Sequence, residues 1–273
     1  MINTIRSLSS LKNSKEWIKR HKNDPYVKRA TVNSYRCRSA FKLIEILENL
    51  HRTTDFQLLK PGQFVFDCGA APGSWSQVVV KHIRKETHPI TNSIDSVNGV
   101  CVAIDKLFFA PIPGVLDLSN TDINDFDEIR ARLTQRLKSN FSWEMPREKF
   151  FDVILSDMAP NISGVAEVDQ KKMIQLLSCV LKLSLEYGKP GSSLLVKSFQ
   201  GNLTSRFIDF LKELYSNERK PIRILKPNAS RLESSEIYIL AQGLRADARE
   251  VYSRKLGLSK CANYKQEKKN NKK

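Results

Sequence analysis

Apolar and polar positions alternate along this chain in a repeating rhythm. Short β-branched or aromatic runs stand at Phe64–Phe66, Val100–Ile104, Phe151–Leu155, Ser193–Val196, Ile222–Leu225 and Ile237–Leu240. Helical patterns lie between several of them, at Trp75–Ile83, Phe126–Leu137, Gln170–Leu185 and Ser205–Tyr215. Strand, helix, strand, repeated several times, predicts an α/β fold: a parallel sheet covered by helices on both faces. The stretch between Leu225 and Ile237 is too short for a crossover helix, so the last strand should return antiparallel. Upstream, Ser34–Leu50 reads as a separate amphipathic helix with Ala40, Leu43, Ile44 and Leu47 on its apolar side. Thr87–Asn98 and Asn140–Glu148 carry weak patterns and read as surface loops. No internal repeat is visible.

Composition narrows the class. With 273 residues, 41% of them hydrophobic, the chain can build a core, which excludes wholesale disorder and suggests one large domain with tails. No run of about 18 apolar residues exists, so no membrane span is expected. The cysteines, Cys37, Cys68, Cys101, Cys179 and Cys261, are odd in number and scattered. Without a C-x-x-C pair they argue against a disulfide framework or structural zinc, and for a reducing compartment. The formal charge of +16 favours a polyanionic partner, most simply nucleic acid.

The ends differ from the middle. The first fifteen residues hold Arg6, Lys12 and Lys15 and no acid, with Ile2, Ile5, Leu8 and Leu11 every third position. That pattern predicts a mitochondrial targeting segment over residues 1–20, and hence the matrix; the plainer reading is a disordered basic terminus. From Arg254 to Lys273 the chain is Lys/Asn-rich and reads as a disordered basic tail.

The strongest local signal is FVFDCGAAPGSWSQ, residues 64–77. A buried strand ends at Asp67, a turn with Gly69 and Gly73 follows, and a helix begins near Ser74. In a doubly wound sheet this first turn is where a cofactor sits, because glycine lets backbone approach a ligand closely. The G-x-G-x-x-G dinucleotide fingerprint is absent, which disfavours a pyrophosphate site. Asp105 ends the next strand, placed to accept hydrogen bonds from a ribose diol, and Asp122, after the third strand, is placed for an adenine edge. Together these features suggest an adenosine-containing ligand such as S-adenosylmethionine. Plain strand-to-helix turns with capping aspartates are the structural alternative.

Four segments carry a polar residue where a core strand or its end is expected. Asp157 follows the fourth strand in SDMAPN, Lys197 follows SSLLV on the fifth, and Glu236 opens the last strand. Lys42 lies on the upstream helix in SYRCRSAFKLIEI, beside Arg36 and Arg38. A lysine at a buried strand end is costly unless paired or functional. To act as a base near neutrality it must fall from its reference pKa of about 10.4, which desolvation and a neighbouring cation such as Lys42 both favour. Asp157 and Glu236 oppose that shift but are placed to orient an ammonium and a substrate hydroxyl. A structural ion-pair cluster explains the same residues equally simply.

DCGAAPGSWSQV, SDMAPN, LLVKSFQG and KPNASRLESSEIYILA, in that order, resemble the FtsJ-type (RlmE-like) RNA ribose 2′-O-methyltransferases, and DPYVKRA…YRCRSAFKL matches that family's N-terminal element. The resemblance runs from about Asp24 to Gln242 and implies one methyltransferase domain over residues 24–245. It implies a Rossmann-like, seven-stranded, mostly parallel sheet whose last strand is antiparallel, and a Lys-Asp-Lys-Glu tetrad at Lys42, Asp157, Lys197 and Glu236. It places S-adenosyl-L-methionine against Gly69, Pro72, Gly73, Ser74, Trp75, Asp105, Asp122 and Asp157, with Asp117 or Asp125 as alternatives to Asp122. The family often has a second glycine where Ser74 stands.

The reaction so implied is methylation of a ribose 2′-hydroxyl, with Lys197 as general base. Arg36, Arg38, Lys42 and Arg231, with Lys28 and Arg29 just upstream, form the expected RNA platform. The implied partner is large-subunit rRNA or a pre-ribosomal particle, with a uridine as target, no metal, and a monomeric enzyme. The targeting pattern points to the family's mitochondrial large-subunit rRNA members. The alternatives are a tRNA or mRNA-cap 2′-O-methyltransferase of the same family, or a non-catalytic assembly factor. Trp17, Trp75 and Trp143 read as packing or surface residues rather than base-stacking platforms.

Overall fold

A computed structural model describes residues 23–84, 99–141, 150–216, 221–231 and 234–255. The expected targeting segment, the two expected surface loops (apart from residues 140 and 141) and all but the first two residues of the expected tail lie outside them. The elements in chain order are α1 (Pro25–Val32), α2 (Ala40–Thr54), β1 (Phe64–Cys68), α3 (Ser74–Ile83), β2 (Val100–Asp105), β3 (Val115–Ser119) and α4 (Phe126–Phe141). There follow β4 (Phe151–Ser156), α5 (Ala166–Tyr187), β5 (Gly188–Phe199), α6 (Asn202–Leu214), β6 (Ile222–Leu225), β7 (Glu236–Gln242) and α7 (Ala248–Lys255).

The seven strands form one sheet in the order β3-β2-β1-β4-β5-β7-β6. Pairings from β3 through β5 are parallel, while β7 is antiparallel to both β5 and β6 and so runs against the others. The antiparallel return expected from the short β6–β7 connection is present. It does not end at the edge, however: β7 inserts between β5 and β6. This reversal decides where the chemistry sits. It sets the first residue of β7, Glu236, opposite Phe199 at the carboxyl end of β5, and Tyr238 opposite Lys197. Residues far apart in the chain therefore meet at one edge of the sheet.

Strand alternation divides the core in two. On one face Phe66, Val102, Ile154 and Ile239 pack under α4, α5, α6 and α7; on the other Val65, Ala103, Leu155 and Leu240 pack under α2 and α3. The β3 segment, loosely patterned in the sequence, is a five-residue strand whose Asp117 caps its own end by accepting from Ser119 N.

Two boundaries differ from the sequence reading. The helix expected over Ser34–Leu50 begins only at Ala40 and runs on to Thr54, and α1, which the sequence reading does not expect, precedes it. Asp24 caps α1 by accepting from Tyr26 N, Pro25 starts it, and the chain leaves helical geometry at Ser34, whose φ is 58°. Arg36 and Arg38 thus lie in an irregular connector and not on a helix. At the other end, Arg254 and Lys255 complete α7 instead of opening a tail. Val251 and Tyr252 pack against the core, the Tyr252 ring lies 5.8 Å from that of Phe210, and Lys255 pairs with Glu213.

Leu240 is fully buried beneath the α2–α3 layer, two residues from Tyr238. Leu240→Ala should lower unfolding free energy by about 2–5 kcal/mol in chemical denaturation. A loss below about 1 kcal/mol would contradict the packing described for β7.

Candidate active site

The carboxyl edge of the sheet gathers the four polar residues singled out in the sequence. Lys197 is only 8% exposed at its side chain, and its Nζ lies 2.9 Å from Asp157 Oδ1 and also donates to the Asp157 carbonyl. Lys42 reaches the same spot from α2, with Nζ 2.8 Å from Glu236 Oε1, 2.9 Å from Oε2 and 3.8 Å from Asp157 Oδ1. Glu236 is thus paired with Lys42 rather than with Lys197, because its start position on β7 faces α2. Two ammonium groups share one carboxylate oxygen, which makes Lys42 the cation neighbouring Lys197, as the sequence predicts.

One residue of this cluster is not among those the sequence singles out. Tyr238 OH donates to Asp157 Oδ1 at 2.6 Å and approaches Glu236 Oε1 at 3.4 Å, so it bridges the two acids. Burial, together with the charges of Asp157 and Glu236, holds its phenol well above the usual range. A signal for it exists: Glu236 and Tyr238 are two apart on a strand and must share a face. Ser230 Oγ adds a further donor to Glu236 Oε1 at 2.8 Å.

Beside the cluster opens a cavity of about 810 Å³, lined among others by Gly69, Asp105, Asp122, Asp157 and Met158. Gly69 has φ 74°, and a Cβ there would run into Met158, so the turn after β1 needs glycine both for conformation and for space. Both Asp105 oxygens are fixed by backbone, Ala71 N at 2.9 Å and Leu107 N at 2.8 Å, which pins the carboxylate at the strand end. Asp122 is exposed and held below the ordinary carboxylate range by the Asn124 N–H and amide. Of its alternatives, Asp117 is spent on Ser119 and Asp125 caps α4 by accepting from Glu128 N.

Pro72, Gly73, Ser74 and Trp75 sit behind the cavity rather than on its wall. The Pro72 carbonyl accepts from Arg36, and Ser74 Oγ sits 2.7 Å from Ser39 Oγ and 3.0 Å from Cys37 Sγ. Trp75 is buried against Tyr238 at 5.8 Å, its Nε1 donating to Ser39 O, as a packing tryptophan should. The basic residues expected to meet RNA are also divided. Arg36 bonds three backbone carbonyls, and Arg38 bonds Asp24 and the Ala229 carbonyl. Lys42 belongs to the cluster; Arg29 is exposed, its guanidinium 4.5 Å from the Phe41 ring centroid, and Lys28 and Arg231 are exposed. Among the described residues no group of three or more potential ligands is arranged to hold a metal, and no helix is long and apolar enough to cross a membrane.

The family model described as FtsJ-like methyltransferase matches residues 35–244. The chain belongs to the FtsJ-like methyltransferases. Among its relatives, the ribosomal RNA large subunit methyltransferase E of Azoarcus sp. is 38% identical over 234 residues, spanning 86% of this chain and 98% of the relative. That of Paracidovorax citrulli is 36% identical over 236 residues, spanning 86% and 97%. A solved structure of a candidate ribosomal RNA methyltransferase from Plasmodium falciparum superposes with a TM-score of 0.57 at 25% identity, covering 77% of this chain and 98% of that one. The FtsJ-like assignment accounts for the order of the four motifs and for the seven-stranded sheet with its reversed β7.

Beneath the glycine turn of this FtsJ-like site lies Asp67, 1% exposed and accepting from Ser76 Oγ. Burial raises its carboxyl to about 7, with Asp157 and Asp105 adding to the rise against the Ser76 hydrogen bond. The unfolded chain loses this proton near pH 4 and the folded protein only near pH 7, so the group costs stability progressively as pH rises between those values. Asp67→Asn should therefore gain in Tm relative to wild type from pH 4 to pH 7, with the difference constant above. A pH-independent difference across that window would remove the assigned protonation.

Proposed function

We propose that this methyltransferase transfers a methyl group from S-adenosyl-L-methionine to the 2′-oxygen of a ribose, a uridine, in mitochondrial large-subunit rRNA, in support of ribosome biogenesis. The observation that carries the reading is the convergence of Lys197, Asp157, Lys42 and Glu236 at the end of a cavity that also presents Asp105 and Asp122. Support for rRNA comes from relatives named as large-subunit rRNA methyltransferases and from the basic balance of the chain. The mitochondrial matrix is supported by the basic, acid-free pattern of the first fifteen residues. The enzyme is proposed to act as a monomer on rRNA or a pre-ribosomal particle.

The residues present suit this donor. Three carboxylates, from Asp105, Asp122 and Asp157, line a cavity that takes a ligand carrying positive charge and a diol, and the Gly69 turn leaves backbone open to it. Bound there, S-adenosyl-L-methionine supplies the methyl group as an electrophile. The chain's own task is to place the acceptor oxygen and handle one proton. Lys197, in its neutral form, takes the 2′-hydroxyl proton. Asp157 fixes Lys197 through its carboxylate and its own carbonyl, which leaves the amine one direction in which to face substrate. Tyr238 holds Asp157. Glu236 holds Lys42, whose ammonium is proposed to meet the phosphate or the attacking oxygen. A 2′-hydroxyl acceptor restricts the substrate to RNA.

The test is methyl transfer from radiolabelled S-adenosyl-L-methionine to mitochondrial large-subunit rRNA and to ribosomal particles. Alkali-resistant dinucleotides are scored, because a 2′-methyl blocks backbone cleavage. Label is expected in one such dinucleotide, lost in Lys197→Ala, whose affinity for S-adenosylhomocysteine stays within a few fold of wild type. An active Lys197→Ala would remove the base assignment. Cofactor binding with no label in any RNA or particle would favour a non-catalytic assembly role.

A further inference from the structure

We propose that Arg36 and Arg38 are positioning residues that tie the N-terminal connector to the two loop systems of the active site, and not contacts for RNA phosphates. The inference rests on the reading of the cavity as the cofactor site.

Arg36 is half-buried. Its Nη1 donates to Pro72 O at 2.8 Å and Ala110 O at 2.6 Å, and its Nη2 donates to Pro111 O at 2.7 Å. Pro72 belongs to the glycine turn after β1, and Ala110 and Pro111 to the loop after β2, the two segments that carry Gly69 and Asp105 to the cavity. One guanidinium therefore fixes their separation. Its backbone is held too, Arg36 N donating to Gln77 Oε1 at 2.9 Å while Gln77 Nε2 returns to Ser34 O. The fit is close: a Cβ on Gly73 would lie 3.0 Å from Arg36 Nη1.

Arg38 serves the opposite side. Its guanidinium bonds the Ala229 carbonyl, while Glu45 Oε2 accepts from Ala229 N at 2.8 Å, so both polar backbone groups of a fully buried residue are held from the N-terminal region. The next residue, Ser230, donates to Glu236. Asp24 fixes Arg38, and Tyr26 OH fixes Glu45 at 2.8 Å. A guanidinium can span several carbonyls on separate loops, whereas an ammonium is a point donor, so lysine should not substitute.

The experiment compares wild type with Arg36→Ala, Arg36→Lys, Arg38→Lys and Arg231→Ala. It reads S-adenosylhomocysteine binding by calorimetry, KM and kcat for methyl transfer, and the slope of log RNA affinity against log salt. Arg36→Ala and Arg36→Lys should both weaken S-adenosylhomocysteine about tenfold, the scale of one or two net hydrogen bonds, and raise KM for the donor in step. Their kcat at saturating donor and their salt slope should stay near wild type. Arg38→Lys should lower kcat and leave S-adenosylhomocysteine binding and slope near wild type. Arg231→Ala, an exposed control, should lower the slope by about one. If Arg36→Ala does not fold, Arg36→Lys, which keeps charge and stem, decides the matter. Wild-type ligand affinity in Arg36→Lys, wild-type kcat in Arg38→Lys, or a slope lowered by about one in Arg36→Ala overturns the proposal. A wild-type protein that binds no S-adenosylhomocysteine would overturn the cofactor reading itself, and this inference with it.

Discussion

A single carboxylate oxygen organises this site. Asp157 Oδ1 receives Tyr238 OH at 2.6 Å and Lys197 Nζ at 2.9 Å, with Lys42 Nζ at 3.8 Å. Its three partners come from β7, β5 and α2, so the oxygen can be satisfied only if the sheet, its reversed strand and the N-terminal helix are all in place. A carboxylate taken this far from water costs several kcal/mol unless its partners are well placed. The cost is offset here by charge-assisted hydrogen bonds, and the second lysine is balanced in turn by Glu236. Reversal of β7 is the topological step that makes the arrangement possible, since a parallel strand would carry Glu236 to the opposite edge.

The N-terminal connector extends the same logic outward. Between Asp24 and Glu45 the chain bonds the glycine turn, the loop after β2 and the loop before β7. Its Ser39 carbonyl accepts from Trp75, and Trp75 packs against Tyr238. A path of packed and hydrogen-bonded groups thus joins the start of α3 to the aspartate at the reacting centre. Asp67, buried under the turn beside these carboxylates, stays neutral over the acid range because burial disfavours its charged form, and Asp157 and Asp105 nearby add to that effect.

Much of this is legible in the sequence, for identifiable reasons. Buried parallel strands read as continuous apolar runs, so β1, β2, β4 and β5 stand out, and polar residues at their ends are conspicuous against that background. The four polar residues are conspicuous beside apolar runs, but it is the resemblance to the FtsJ-type family that names them as a tetrad. Tyr238 escapes because a tyrosine in a strand is unremarkable; only its period-two relation to Glu236 betrays it. The contacts of the arginines are hidden for a different reason. Arg36, Arg38 and Lys42 share the charge expected of a phosphate platform, but hydrogen bonds to carbonyls more than thirty residues away leave no mark on local pattern. The late start of α2 is hidden likewise, as Ser34, where the helix is expected to begin, takes left-handed geometry without a glycine to announce it. At the far end, α7 is largely polar, and the few apolar residues that tie it to the core, Ala248, Val251 and Tyr252, are too sparse to read as a pattern.

On this geometry Lys197 and Asp157 are proposed to work as one unit around the shared oxygen. A double-mutant cycle on single-turnover methyl transfer, with Lys197→Ala, Asp157→Ala and the pair, tests it most directly. Strong non-additivity is expected: the double variant should be about as slow as the slower single variant. Losses in the double variant equal to the product of the two single losses would contradict it, and would mean that the two residues act independently.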